Sequence, residues 1–350
     1  MNTILKTQKR VSKKARRADE SIIPELELEW FQPPALQPSQ KEAEPNGSIR
    51  FGWIGSGPDG VRLAEAFYQL GYKALAVSGA AEDLSGLKMP EACRFLMSRH
   101  GKSARQDGHH LFGRLEEQFA DCVDHLMICP GAKNAQDLKL IEWVHSFARL
   151  LGFQGSGRRV GAMLLPLTDS AVMKELLEQA KQKKILPLIL ADGGSKQKST
   201  SRKKQPIADF QRIAELFDAF NRLSGQPTSY TSFDTMDFLG VLTAGGCAVM
   251  AAAQPEPPTD RRALSRAVRA ALGSMVSTRQ IDLGRARAGA CLAVGGREMM
   301  AQTAGLQDAI LYGFDVLAAL TGRATIHRGI YEDDIPSLRI YTMLSGLTPA

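Results

Sequence analysis

The segment Phe51-Gly-Trp-Ile-Gly-Ser-Gly-Pro-Asp-Gly60 constrains this chain more than any other stretch. Residues 49–55 are an apolar run that reads as a buried strand, and Gly55, Gly57 and Gly60 then mark a tight turn over 55–60. Residues 61–70 carry helical spacing and residues 73–77 are apolar again, which makes a strand-turn-helix-strand unit. Such a unit packs as a crossover between two parallel strands. Glycines at this turn let a backbone approach a phosphate at a helix N-terminus, so the spacing also fits a dinucleotide-binding fold.

The alternation continues. Further strands are expected at 125–129, 160–166 and 185–191, separated by helical patterns at 138–151 and 170–183. This order predicts an α/β fold with a doubly wound, mostly parallel sheet. A lysine- and serine-rich loop at 193–205 (Lys196, Lys198, Arg202, Lys203, Lys204) precedes a linking helix, 206–223, with Pro206 in its first turn. Beyond it, 238–253 is apolar and strand-like, 260–276 helical, 288–294 a strand, 298–320 helical, and 324–330 and 338–345 strands. These make a smaller α+β domain. The expected division is an N-terminal extension (1–48), a nucleotide-binding-type domain (49–205), the central helix and linker (206–226), and the C-terminal domain (227–350).

At 350 residues and 44% hydrophobic content the chain can bury a large core. The net charge of +7 is concentrated in one place. Residues 1–17 hold Lys6, Lys9, Arg10, Lys13, Lys14, Arg16 and Arg17 and no acid, which leaves the remainder with as many bases as acids. That basic arm can contact anionic membrane or nucleic acid, or simply solubilise the chain. The rest of 1–48 is polar and proline-bearing, read as disordered, with one docking segment at 26–31. Five scattered cysteines without CxxC spacing argue for reduced thiols, and His109-His110 has no ligand-spaced partner, so a polar loop and no metal site are expected. No run of eighteen apolar residues and no signal-peptide pattern occur, so the expected compartment is the cytoplasm.

Several blocks taken in order resemble the tubulin/FtsZ superfamily. The opening segment, followed by Glu82-Asp-Leu-Ser-Gly-Leu87, is similar to the start of FtsZ and its CetZ-like relatives. Thr231-Ser-Phe-Asp-Thr-Met-Asp-Phe-Leu-Gly-Val-Leu242 resembles the acidic loop of FtsZ, with Asp234 and Asp237 on its two acids. Gly245-Gly246 and Gly289-Ala-Cys-Leu-Ala-Val-Gly-Gly296 are similar to later glycine-flanked strands of that family. The resemblance implies head-to-tail assembly with itself or another FtsZ-like protein. It also implies that one subunit's acids orient water against the GTP of the next, a catalytic role for Asp234 and Asp237.

The same resemblance exposes departures. Where the family carries its phosphate-cradling glycine run, this chain reads Pro130-Gly-Ala-Lys-Asn-Ala-Gln-Asp137, with only Gly131 retained. Asn134 and Asp137 look like helix caps that would occupy the amides a phosphate needs. Pro58 removes an amide donor and Asp59 adds negative charge to the first loop. The stretch from Gly101 to Gly108 is similar to the family's γ-phosphate-sensing loop, and Lys102, Arg105 and Lys133 could still hold a phosphate through side-chain charge, while Phe210 matches a base-stacking aromatic and Ala214 stands where an asparagine would select guanine. The nucleotide-binding candidates are thus Gly55, Gly57, Gly60, Gly101, Lys102, Arg105, Gly131, Lys133 and Phe210.

Three functions follow from these residues. The first is a protein that forms or regulates filaments, with weak or absent GTP hydrolysis and magnesium needed only where nucleotide binds. The second is an active GTP-hydrolysing polymer subunit. The third is a nicotinamide-dependent oxidoreductase using the Gly55/Gly57/Gly60 turn, although Ser78 occupies the position of its ribose-binding acid. The chain also ends soon after its last expected strand, where division FtsZ proteins continue into an adaptor-binding peptide, so such adaptors are not expected partners.

Overall fold

Alternating apolar side chains set the layering of the molecule. In this computed structural model, strand β1 (Phe51–Ser56) directs Phe51 and Trp53 to one face and Ile54 to the other, as the period-two geometry of a strand requires. After helix α1 (Gly57–Gln69), strand β2 (Lys73–Ser78) repeats the split, with Ala74 and Ala76 on the first face and Leu75 and Val77 on the second. Both faces are therefore apolar and need covering by helices. The structure describes residues 48–97, 102–120, 122–131, 146, 159–165, 187–189, 210–256, 258–279 and 282–347.

Strand β3 (Arg94–Leu96), helix α2 (Lys102–Phe119) and strand β4 (His125–Pro130) follow, then strands β5 (Arg159–Leu165) and β6 (Pro187–Ile189). The second half runs through helix α3 (Phe210–Ser224), helix α4 (Thr235–Thr243), strand β7 (Cys247–Ala253), helix α5 (Arg261–Arg279) and strand β8 (Ala288–Gly296). It closes with helices α6 (Arg297–Gln302) and α7 (Leu306–Thr321) and strands β9 (Thr325–Asp333) and β10 (Arg339–Leu347). The sheet order is β3-β2-β1-β4-β5-β6-β7-β10-β8-β9. Every pairing from β3 through β7 is parallel; β10 lies antiparallel to both β7 and β8, and β8 pairs parallel with β9. The fold is the expected α/β arrangement, a mostly parallel sheet followed by a mixed one. Helices α1, α3 and α4 bury side chains on the Trp53 face, and α2, α5 and α7 bury theirs on the Ile54 face.

The central helix α3 is fastened at its C-terminal end by a polar clamp. Asn221 is buried; its carbonyl oxygen accepts from the Ile49 amide at 3.2 Å and its amide donates to the Ile49 carbonyl at 2.9 Å. Asn221 also donates to the Tyr72 hydroxyl, which donates in turn to Asp218 at 2.8 Å. Burial, reinforced by the Asp218 carboxylate, pushes the Tyr72 phenol well above its ordinary range.

Several expected elements differ. The stretch 238–253 is not strand throughout: Phe238, Val241 and Leu242 are buried at helical spacing in α4, and the strand begins only at Cys247. The turn over 55–60 is shorter than expected, because Gly57 (φ +69°) lets the chain enter α1 at once with Pro58 in its first turn. Residues 298–320 form two helices, broken where Gly305 adopts φ +75° as the N-cap of α7. Lys102, Arg105 and the His109-His110 pair stand on helix α2 and not on loops, and both histidines are exposed. Apart from Ser146, the expected helices 138–151 and 170–183 lie outside the described residues, as do the 193–205 loop, the 1–47 extension, Gly101, Lys133, Asn134 and Asp137. No helix among the described residues is long and apolar enough to cross a membrane.

Candidate functional site

Strand order reverses between β1 and β4, and in open parallel sheets ligands gather at the C-terminal ends of the strands beside such a reversal. Here that position is built from backbone. A Cβ on Gly55 would stand 2.1 Å from the Gly60 carbonyl oxygen, and one on Gly60 would stand 2.1 Å from the Cys129 carbonyl oxygen. A Cβ on Gly131 would fall 2.4 Å from the Gly60 nitrogen and 2.7 Å from the Asp59 nitrogen. The Gly131 amide donates to the Ser56 carbonyl at 2.6 Å. Four of the expected residues, Gly55, Gly57, Gly60 and Gly131, are thus brought together by packing of β1, α1 and the end of β4.

That packing faces Gly131 against the first-turn amides of α1, the donors an anion would use. Pro58 contributes no N–H there, and Asp59 places a carboxylate in the same turn. The Ser56 hydroxyl is buried and has no hydrogen-bond partner among the described residues. Cys129 is fully enclosed beside it, and burial alone pushes its thiol far above the ordinary range, so it is no nucleophile. Phe210 opens α3 and packs, partly buried, against the Trp53-face core. Ala214, in the next turn, is fully buried in that core.

The second candidate is the acidic loop between α3 and α4. Its chain is laid along β9: the Thr228 hydroxyl donates to the Ile330 carbonyl (2.6 Å), the Ile330 amide donates to the Thr231 carbonyl (2.8 Å), and the Gln226 side chain donates to the Glu332 carbonyl (3.3 Å). The fully buried Tyr331 hydroxyl then accepts from the Phe233 amide at 2.8 Å and donates to the Phe233 carbonyl at 2.9 Å. Burial, with added repulsion from Asp237 and Asp234, raises the Tyr331 phenol above its ordinary range.

Asp234 is the N-cap of α4 and accepts from the Asp237 amide at 2.8 Å, while Asp237 accepts from the Asp234 amide at 3.2 Å. This reciprocal capping box explains the spacing of the two acids without any ligand. The other Asp237 oxygen lies 2.7 Å from His327 Nδ1 on β9. Asp234 is exposed and Asp237 part-buried, and Met236 between them is 72% exposed. Phe233 and Phe238 behind the acids join Phe217 and Trp53 in one aromatic wall reaching back to β1. His327 and Tyr331 escaped the sequence reading because their partners are distant in the chain. The D-x-x-D spacing could have signalled the cap.

Comparison of this architecture with solved structures gives consistent neighbours. A GTPγS-form protofilament of TubZ from Bacillus thuringiensis serovar israelensis superposes with a TM-score of 0.69 at 15% identity, over 86% of this chain and 88% of that one. An empty FtsZ dimer from M. jannaschii gives a TM-score of 0.59 at 14% identity over 86% and 92%, and CetZ from Methanosaeta thermophila gives 0.57 at 13% over 85% and 86%. The fold is that of the tubulin/FtsZ superfamily. No protein-family model matches the chain, and no curated protein matches its sequence. Within the tubulin/FtsZ fold, α3 is the long helix that leads into the acidic loop, and β1-α1 with the end of β4 forms the strand-end crevice.

Proposed function

We propose that this protein forms or regulates filaments of the tubulin/FtsZ type in the cytoplasm, presenting its Asp234/Asp237 face to a neighbouring subunit while binding and hydrolysing GTP weakly or not at all. One asymmetry carries the reading. The acidic loop is held in a defined shape with an exposed carboxylate and an exposed Met236 at its tip. The strand-end crevice, by contrast, has Gly131 packed against the α1 amides, a proline in their first turn and an acid beside them. The missing amide donor at Pro58 and the carboxylate of Asp59 both weigh against an anion at that helix turn, which supports weak or absent GTP binding by this chain.

The structural neighbours support assembly as the biological setting, since TubZ appears among them in protofilament and in two- and four-stranded filament forms. Carboxylates brought against a neighbour's magnesium-bound triphosphate can position water, whereas a subunit without bound triphosphate offers a neighbour's acids nothing to act on. Such a molecule engages a partner productively at one end only. Sedimentation and phosphate release, measured for the protein alone and mixed with a GTP-hydrolysing FtsZ, test this. Wild type should alter the polymer mass or phosphate release of the mixture, and the Asp234→Ala, Asp237→Ala double variant should not. Identical behaviour of wild type and double variant would remove the acids from the account.

A further inference from the structure

The two acids of the loop are not equivalent. Asp237 has both carboxylate oxygens engaged, one by the Asp234 amide (3.2 Å) and one by His327 Nδ1 (2.7 Å). Asp234 uses one oxygen to cap the helix (2.8 Å from the Asp237 amide), and its second oxygen has no hydrogen bond among the described residues. An ionised carboxylate only accepts, so at 2.7 Å the shared proton belongs to His327 Nδ1. His327 is itself seated: its ring meets Phe233 edge-on at 6.5 Å, and Nε2 lies 3.9 Å from where a Cβ on Gly240 of α4 would stand.

We propose that His327 is a positioning residue for the acidic face. By holding Asp237, it fixes the first turn of α4 so that Asp234 is the acid whose free oxygen meets the neighbouring subunit. Asp237 then serves as a strut between α4 and β9. The carboxylate that faces the partner is single, and the imidazole acts only through Asp237. This inference rests on the partner-facing reading of the loop proposed above, and its test separates the two.

The first arm needs no activity. Long-range proton–nitrogen correlation spectroscopy of the full-length, histidine-labelled protein, with His327 assigned by its loss in His327→Asn, should show the proton on Nδ1. Asp237→Ala should move it toward Nε2, and Asp234→Ala should leave it in place. A bare Nδ1 in wild type overturns the proposal. The second arm is phosphate release in the mixture with a GTP-hydrolysing FtsZ. His327→Leu should lower the effect of this protein by about tenfold, the loss expected for one hydrogen bond to a charged group. His327→Asn, whose amide can donate from the same place, should restore it to within about twofold of wild type. Asp234→Asn, which keeps the helix cap but removes the charge, should abolish the effect as fully as the double variant, and Asp237→Asn should reduce it less. If His327→Leu matches wild type while Asp234→Asn still loses the effect, positioning by His327 is overturned and the partner-facing reading survives. If no variant differs from wild type, both are overturned, whatever the tautomer.

Discussion

Tyr331→Phe isolates the bond that ties the acidic loop to β9. The substitution removes one hydroxyl and leaves the ring, so no cavity of consequence forms. Two backbone groups of Phe233 lose their partner, and Phe233 is only 1% exposed, which denies them water. A buried orphan of this kind costs about 1–3 kcal/mol. The carbonyl is the cheaper of the two, and removal of the hydroxyl's own desolvation offsets part of the loss, so about 2–3 kcal/mol is expected overall. That is a sizeable part of the ~5–15 kcal/mol stability typical of a folded domain. The urea midpoint should fall by the corresponding amount with an unchanged slope. Locally, hydrogen exchange at the Phe233 amide should accelerate by at least about tenfold, since each ~1.4 kcal/mol is worth a factor of ten. Tyr341, which lies against Phe220 and is not fully buried, supplies the control, and Tyr341→Phe should shift stability by no more than about 0.5 kcal/mol. A Tyr331→Phe protein with unchanged midpoint and unchanged Phe233 exchange would refute the account of how the loop is held.

Other expectations follow from the same structure. Gly60→Ala should destabilise by about 3 kcal/mol or more, because its Cβ would stand 2.1 Å from the Cys129 carbonyl oxygen, a backbone atom of β4, whereas Gly113→Ala on α2, with open space around it, should stabilise by ~0.5–1 kcal/mol. Thermal melts of both variants check the pair, and equal shifts would contradict the packing reading. Tyr72 and Tyr331 have raised values in the fold, against an ordinary 10.0, so their contribution is complete below pH 10 and is lost as pH rises toward the folded values. Stability should then decline by up to about 1.4 kcal/mol per pH unit per tyrosine, and a flat profile between about pH 9 and about pH 11 would contradict this. Deleting residues 1–17 should abolish any salt-sensitive binding to anionic vesicles or nucleic acid, measured by co-sedimentation; unchanged binding would shift attention to the basic loop at 193–205.

Strand β2 was legible because it carries its alternation openly, Leu75 and Val77 against Ala74 and Ala76, whereas the three-residue β3 is too short to show a period and was not expected. Gly55, Gly57 and Gly60 announced the strand-to-helix turn, but not that Gly131 would be its packing partner, since that contact depends on how β4 is laid beside β1. Helix α4 was hidden by its own apolar density: Phe238-Leu-Gly-Val-Leu-Thr reads as strand until Asp234 and Asp237 are recognised as a capping box. The break at Gly305 was equally silent, because a glycine inside an apolar helical pattern shows its positive φ only in the fold. His327 and Tyr331 could not be found from local spacing at all. Their roles arise from β9 running beside the loop, and no residue near either one encodes that neighbour.

The proposed asymmetry sets an acidic face held in place by His327 and Tyr331 against a strand-end crevice whose first helical turn disfavours an anion. Calorimetric titration of the full-length protein with GTP and magnesium tests it most directly. Because Gly131 stands against the α1 amides and Pro58 and Asp59 oppose an anion there, no saturable heat should appear in the micromolar range. Micromolar binding of GTP accompanied by steady phosphate release from the protein alone would contradict the account and make this chain an active GTPase of the tubulin/FtsZ fold.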